Sequence, residues 1–171
     1  ICNTQGASIP RESDAVLYTH AGPEVAVAST KAFVAQITAA YLLGLYLAQV
    51  KGAMFRDEIH QVLDSLKDMP RKIQWVLDTQ PKTIQAAAER MVNANSFLFL
   101  GRHVGYPVAL EGALKLKEIA YTFTEGFAAG ELKHGPIALV DEGEPVVFIV
   151  PPQRGRNVLH AKVISGIEEV K

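Results

Sequence analysis

A continuous apolar run at residues 96–101, Ser-Phe-Leu-Phe-Leu-Gly, limits the fold of this chain more than any other feature. A strand that is apolar on both faces needs cover on both sides, as in a parallel sheet between two layers of helices. A second run at residues 145–150 predicts another strand. Ligands of such sheets lie beyond the carboxyl ends of the strands, so residues 101–105 and 151–155 are expected at the ligand-binding edge.

The remaining patterns predict mostly helices. Residues 15–19 form a short β-type run after a turn at residues 11–14. The first long helix is predicted to begin with Ser29 or Thr30 as its cap and to run to about Val50, with Gly52 ending it. Two helices are predicted within residues 57–79, divided at Pro70, and another at residues 81–93. The charged helix described below and a final helix after residues 151–152 complete the set. The order of strands and helices indicates an α/β fold with a mostly parallel sheet.

Composition excludes several classes of function. The 171-residue chain has a net charge of −1 and no basic run, so nucleic acid is not an expected partner. Its single cysteine, Cys2, allows no internal disulfide and indicates a reducing compartment. The most apolar stretch, residues 32–50, is interrupted by Gln36, Thr38 and Gln49, which predicts a helix buried on several faces and not a membrane span.

Charged residues cluster in the segment at residues 109–119, which is otherwise apolar. In a helix, Glu111, Lys115 and Glu118 stand at positions i, i+4 and i+7 and share one face. Such pairs are usually solvated surface pairs, but glycine-rich loops on both sides favour a ligand-facing edge. A second charged group, Glu131 to His134, follows on a short helical turn that ends at Gly135-Pro136, and together these residues offer acid/base chemistry.

Other candidate motifs are weaker. Residues 27–33 open a helix whose free N–H groups and Ser29 hydroxyl could bind an anion or a sugar hydroxyl, although Ser29 could simply cap the helix. Glu24 could face the same cleft. Gly101-x-x-x-Gly105 is a weak phosphate-loop signal that matches neither nucleotide-binding fingerprint. No histidine or cysteine spacing supports a metal site, and no cofactor is expected.

Three segments, residues 21–33, 109–118 and 128–136, closely resemble the isomerase part of the glucosamine-6-phosphate synthase family, the isomerising glutamine–fructose-6-phosphate aminotransferases. Residues 11–14 and 101–102 match as well. The resemblance covers essentially the whole chain, from the end of a first sugar-isomerase (SIS) domain into a second. It implies a SIS-type three-layer αβα sandwich with a mostly parallel sheet, incomplete at both ends.

The resemblance also implies a division of the chain and missing parts. Residues 1–54 correspond to the C-terminal part of the first SIS domain, residues 55–87 to a helical connector, and residues 88–171 to the N-terminal part of the second SIS domain. The chain starts without methionine and ends inside an amphipathic pattern, so we expect both ends to be cut. The family's phosphate loop, its Schiff-base lysine and its glutaminase domain are expected outside this chain, which alone should be inactive.

The reaction implied by the resemblance converts fructose 6-phosphate and glutamine to glucosamine 6-phosphate and glutamate. Glu118 matches the base that moves a proton between C1 and C2, and Lys115 matches a lysine near the reacting end of the sugar. His134 matches a histidine that assists ring opening in the neighbouring subunit of a homodimer. The positions that line the sugar are Val27, Ser29 and Glu24. A cytoplasmic enzyme of amino-sugar biosynthesis, with neither membrane nor nucleic acid as partner, is the expected setting.

Two other functions fit the same fold. The first is a phosphosugar isomerase that performs no amination. The second is a regulatory SIS module that senses a sugar phosphate and needs no catalytic base. Replacing Glu118 by glutamine separates them, because a sensor should still respond to sugar phosphate whereas an enzyme should lose turnover.

Overall fold

The first of two compact units in this computed structural model is helical. The structure describes residues 1–153 and 158–171 and divides the chain into units of residues 1–86 and 87–171. Pro70 lies in the first turn of its helix, so the predicted division at this proline is confirmed. The helices, the last of which continues into the second unit, are α1 Ser8–Glu12, α2 Lys31–Val50, α3 Arg56–Lys67, α4 Met69–Thr79 and α5 Pro81–Met91.

Helix α2 has the predicted length but not the predicted burial. Its buried side chains are Ala32, Ala39 and Leu45, while most of its larger apolar side chains are exposed. The expectation of a helix buried on several faces is wrong for this chain, because α3 packs on one side of α2 and most of this helix, which is apolar almost all round, stays exposed. By length and composition α2 could cross a membrane, a test that core helices of soluble proteins also pass.

The second unit contains the parallel sheet. Strand β1 Ser96–Gly101 is central, with β2 Phe123–Ala128 on one side and β3 Val146–Ile149 on the other. Both neighbours run parallel to β1, with Phe99 opposite Gly126 and Val147. Helix α6 Gly105–Ala120 connects β1 to β2, and α7 Val158–Glu168 follows β3. Two short 3₁₀ turns, Leu132–His134 and Pro136–Leu139, lie between β2 and β3.

Helices cover both faces of this sheet. A Cβ atom at Gly112 of α6 would lie 2.9 Å from the Phe99 ring, so α6 packs closely on the face that carries Phe99. A Cβ atom at Gly166 of α7 would lie 3.6 Å from the Phe148 ring, which stands opposite Leu100 on the other face. Leu100 is completely buried. The expected αβα sandwich with a parallel sheet is therefore confirmed.

Three local predictions differ from the structure. Strand β2 was not expected, because Glu125 and Gly126 are poor strand formers and hide its pattern. The run at residues 15–19 forms only an isolated parallel bridge, between Tyr18 and Cys2. The turn expected at residues 11–14 overlaps the end of α1. The loop expected at residues 151–155 lies partly outside the described residues.

Candidate functional site

The charged face of α6 forms a triad of ion-paired side chains. The Lys115 ammonium lies 2.7 Å from Oε2 of Glu118 and 3.3 Å from Oε1 of Glu111. The predicted common face is therefore confirmed. The exposed fraction of the side chain is only 22% for Lys115, 25% for Glu118 and 23% for Glu111. They are therefore not the solvated surface pairs that helical spacing alone would suggest.

One ammonium in this triad serves two carboxylates. The hydrogen bond from Lys115 to Glu118 is the main reason that the pKa of Lys115 is raised, Glu111 adds to the effect, and burial opposes it. Lys115 therefore stays protonated, and the triad carries one excess negative charge. A carboxylate beside a fixed ammonium is suited to accept a proton while the ammonium stabilises negative charge that develops on a substrate oxygen.

Helix α6, which carries the triad, is held firmly on strands β1 and β2. Thr124 of β2 is completely buried, and its hydroxyl donates a 2.6 Å hydrogen bond to the Ala113 carbonyl oxygen in the middle of α6. A Cβ atom at Gly126 would lie 3.0 Å from Cα of Leu110, so this glycine lets α6 approach the sheet closely. Helix α6 thus presents its charged face from a fixed position on β1 and β2.

His134 lies at the end of the first 3₁₀ turn. Leu132, with 1% exposure, anchors this turn, while His134 itself is exposed. Its backbone N–H donates a 3.0 Å hydrogen bond to the Glu131 carbonyl oxygen. Within the described residues its imidazole ring has no hydrogen bond to the triad, so its expected role in a neighbouring subunit stays a prediction.

The loop before α2 holds a second candidate carboxylate, Glu24, in the first unit. Its Oε2 accepts a 2.9 Å hydrogen bond from the Ala32 backbone N–H and a 3.5 Å one from the Ser29 hydroxyl. Its Oε1 accepts a 3.2 Å bond from the Thr30 hydroxyl. The backbone bond from Ala32 is the main reason that the pKa of Glu24 is lowered.

Glu24 therefore caps α2 from a distance of several residues. The expectation that the Ser29 or Thr30 side chain caps this helix is wrong, because Thr30 at the cap position makes no side-chain capping bond. The Glu24 carboxylate accepts the hydrogen bond of an N–H group in the first turn of α2, the place where the sequence indicates that an anion could bind. Val27 is 85% exposed on the same loop. This arrangement brings Glu24 and Ser29 together, and their sugar-binding role remains a prediction.

The glycines at the end of β1 and at the start of α6 serve backbone packing. A Cβ atom at Gly101 would lie 2.0 Å from the Gly105 carbonyl oxygen, so only glycine fits there. The N–H groups of Gly105 and Tyr106 donate to the carbonyl oxygens of Arg102 and His103, both at 3.0 Å. These N–H groups are therefore not available to cradle a phosphate, which explains the weak phosphate-loop signal without a ligand.

Three basic side chains near this loop were not recognised as a group from the sequence. Arg102, Lys133 and Lys162 line one cavity at the carboxyl edge of the sheet. They come from three distant segments, so no local spacing connects them, although a basic residue directly after a strand is a usable signal. Among the described residues no group of three or more side chains could hold a metal ion.

Comparison with known proteins agrees with this fold. The SIS domain family model matches residues 1–46 and 90–164. The whole chain is 68% identical to a glutamine–fructose-6-phosphate aminotransferase (isomerizing) of Corynebacterium efficiens and 60% identical to that of Streptomyces coelicolor. It spans only 27% and 28% of their lengths.

A solved structure is similar over almost the whole chain. The C-terminal domain of glucosamine-fructose-6-phosphate aminotransferase from Francisella tularensis superposes with a TM-score of 0.93 at 40% identity. The superposition covers 99% of this chain and 47% of the other. The chain is thus similar to about half of that C-terminal domain, and to about a quarter of the curated relatives.

Proposed function

Because this chain belongs to the SIS domain family, we propose that it is part of the isomerase region of a glutamine–fructose-6-phosphate aminotransferase of the isomerising type. The observation that carries the proposal is the half-buried Glu111–Lys115–Glu118 triad, in a chain that is 68% identical to a protein with that name. The proposed substrates are fructose 6-phosphate and glutamine, and the products are glucosamine 6-phosphate and glutamate.

Glu118 is the proposed base. An aldose–ketose shift needs one group that takes a proton from one sugar carbon and returns it to the next, here from C1 to C2. The Glu118 carboxylate can accept the proton, hold it as the carboxylic acid and return it, so no net proton is consumed. Lys115, 2.7 Å away, orients the carboxylate and can stabilise negative charge on the adjacent sugar oxygen.

The other site residues have proposed binding or ring-opening roles. Glu24, Ser29 and Val27 are proposed to line the sugar, with Glu24 fixing the loop through its bond to α2. His134 is proposed to assist ring opening, because an imidazole exchanges protons near neutral pH. The proposal that it acts in the neighbouring subunit requires a homodimer.

The proposed setting is a cytoplasmic, dimeric enzyme. Its ammonia would come from the glutaminase domain of the full-length protein, and its product would feed amino-sugar biosynthesis towards UDP-N-acetylglucosamine. The single cysteine supports a reducing compartment. The net charge of −1 supports the absence of nucleic acid among its partners.

The test is identification of the sugar formed by the full-length protein. Incubation with fructose 6-phosphate should give glucosamine 6-phosphate only when glutamine is present. Glucose 6-phosphate as the only product, with or without glutamine, would replace the proposal by a plain phosphosugar isomerase. Sugar-phosphate binding without any product would replace it by a sensor module.

A further inference from the structure

A second candidate site lies at the carboxyl edge of the parallel sheet. One cavity of about 290 Å³ is lined by Arg102 after β1, Gly130 and Lys133 after β2, Lys162 of α7 and Glu169 directly after α7. A neighbouring cavity of about 540 Å³ shares Arg102 and Lys162 with it. The two cavities therefore adjoin along these two cations, at the sheet edge where α/β proteins bind ligands.

The charges around the first cavity are unbalanced. Lys133 is neutralised by Glu169 through a 2.8 Å ion pair. Arg102 and Lys162, in contrast, have no ion pair or hydrogen bond to any side chain among the described residues. Two uncompensated positive charges thus face one cavity, in a chain whose net charge is −1. Such a field attracts a small anion of two negative charges.

Gly130 leaves one side of the Arg102 guanidinium group open. A Cβ atom at Gly130 would lie 3.7 Å from this group, in van der Waals contact with it, and Arg102 as a whole is partly buried. The planar guanidinium can bind two phosphate oxygens at once, and the Lys162 ammonium can act as a point charge beside them. The adjoining cavity adds His103, Val158 and Leu159, which suit a less polar part of a ligand.

We propose that this cavity binds a small phosphorylated metabolite, with its phosphate or diphosphate between Arg102 and Lys162. None of the side chains proposed for the isomerase reaction lines either cavity, so the site is separate from the α6 triad. The phosphate contacts come from side chains and not from the Gly101–Gly105 loop, since the N–H groups of Gly105 and Tyr106 donate within that loop.

Calorimetric titration of the full-length protein with inorganic pyrophosphate at low ionic strength tests the proposal. Arg102→Met and Lys162→Met should each weaken binding about tenfold or more, because each removes a charge-assisted contact. Lys82→Met removes an exposed lysine of α5 and is the matched control for net charge, so it should bind like the wild type. Glu169→Gln should bind severalfold more tightly, since it frees the Lys133 ammonium.

Two results would overturn the proposal. The first is equal affinity of the wild type, Arg102→Met and Lys162→Met, with circular dichroism showing that all three are folded. The second is equal weakening in Lys82→Met, which would reduce the effect to net charge. Lys115→Met should retain wild-type affinity; loss of pyrophosphate binding in this variant but not in Arg102→Met would move the anion to the isomerase site and also refute the proposal.

Discussion

The two carboxylates Glu24 and Glu118 differ in what holds them. Glu24 accepts hydrogen bonds from a backbone N–H and two hydroxyls, which lower its pKa and fix its charge at a helix terminus. Glu118 is held by one lysine side chain, which it shares with Glu111. A carboxylate bound to backbone serves structure, whereas one bound to a single shared ammonium can exchange a proton without disturbing the fold.

Glu118→Gln should have the largest effect. Glutamine keeps the shape and can still accept a hydrogen bond from Lys115, but it cannot take up the proton from the sugar. We expect the kcat of glucosamine 6-phosphate formation by the full-length protein to fall about 10²–10⁴-fold, with a similar KM for fructose 6-phosphate. Glu125→Gln, at an exposed carboxylate on β2, is the matched control and should retain activity. Retained turnover in Glu118→Gln would refute the assignment of the base.

Thr124→Val should weaken the packing of α6, the helix that carries Glu118, against β2. It replaces a buried hydroxyl that donates to the Ala113 carbonyl oxygen by a methyl group of similar size. We expect the free energy of unfolding to fall by about 1–2 kcal/mol, measured by urea denaturation. Thr124→Ser keeps the hydroxyl and should lose less. A larger loss in Thr124→Ser than in Thr124→Val would show that packing of the methyl group, more than the hydrogen bond, fixes α6 on the sheet.

Glu24→Gln should have a smaller effect on the stability of the protein, and this effect should be seen at neutral pH. Removal of the charge weakens the cap of α2, and we expect the midpoint of thermal unfolding to fall by roughly 2–4 °C. Because folding lowers the pKa of Glu24, its stabilisation is present above the unfolded pKa and disappears as the pH falls through the folded pKa. The difference from wild type should therefore vanish in acid, while Glu12→Gln, at an exposed carboxylate, should show no difference at neutral pH.

Lys115→Met should give the smallest change in the free energy of unfolding, and the pH dependence of this change has the opposite sign. Folding raises the pKa of Lys115, so its contribution to stability is complete below the unfolded pKa and is lost as the pH rises through the folded pKa. Denaturation series of the wild type and the variant should therefore converge as the pH rises into alkali. Equal stability of the two proteins at neutral pH would show that Lys115 is not held by the two carboxylates.

The sequence predicts well what depends on local pattern. The apolar run of β1 and the helical spacing of Glu111, Lys115 and Glu118 are both found in the structure. Features that depend on the folded chain were missed. Glu24 reaches the terminus of α2 across a loop in which Gly22 adopts a positive φ of 71°, and no capping rule based on adjacent residues identifies it.

Burial and cavities also depend on the tertiary fold. The pattern of α2 indicates a core helix, yet its exposure is set by how many neighbours pack on it. Arg102 and Lys162 are far apart in sequence and meet only because parallel strands end at one edge. Such groupings become visible when the strand order is known.

The central claim, that Glu118 moves the sugar proton, is tested most directly by hydrogen exchange. Fructose 6-phosphate would be incubated in D₂O with the full-length wild type and with Glu118→Gln, and deuterium at C1 followed by NMR. The account predicts exchange catalysed by the wild type and essentially none by the variant, because only a carboxylate can carry the proton and exchange it with solvent. Exchange at the same rate in the two proteins, whether rapid or absent, would contradict it.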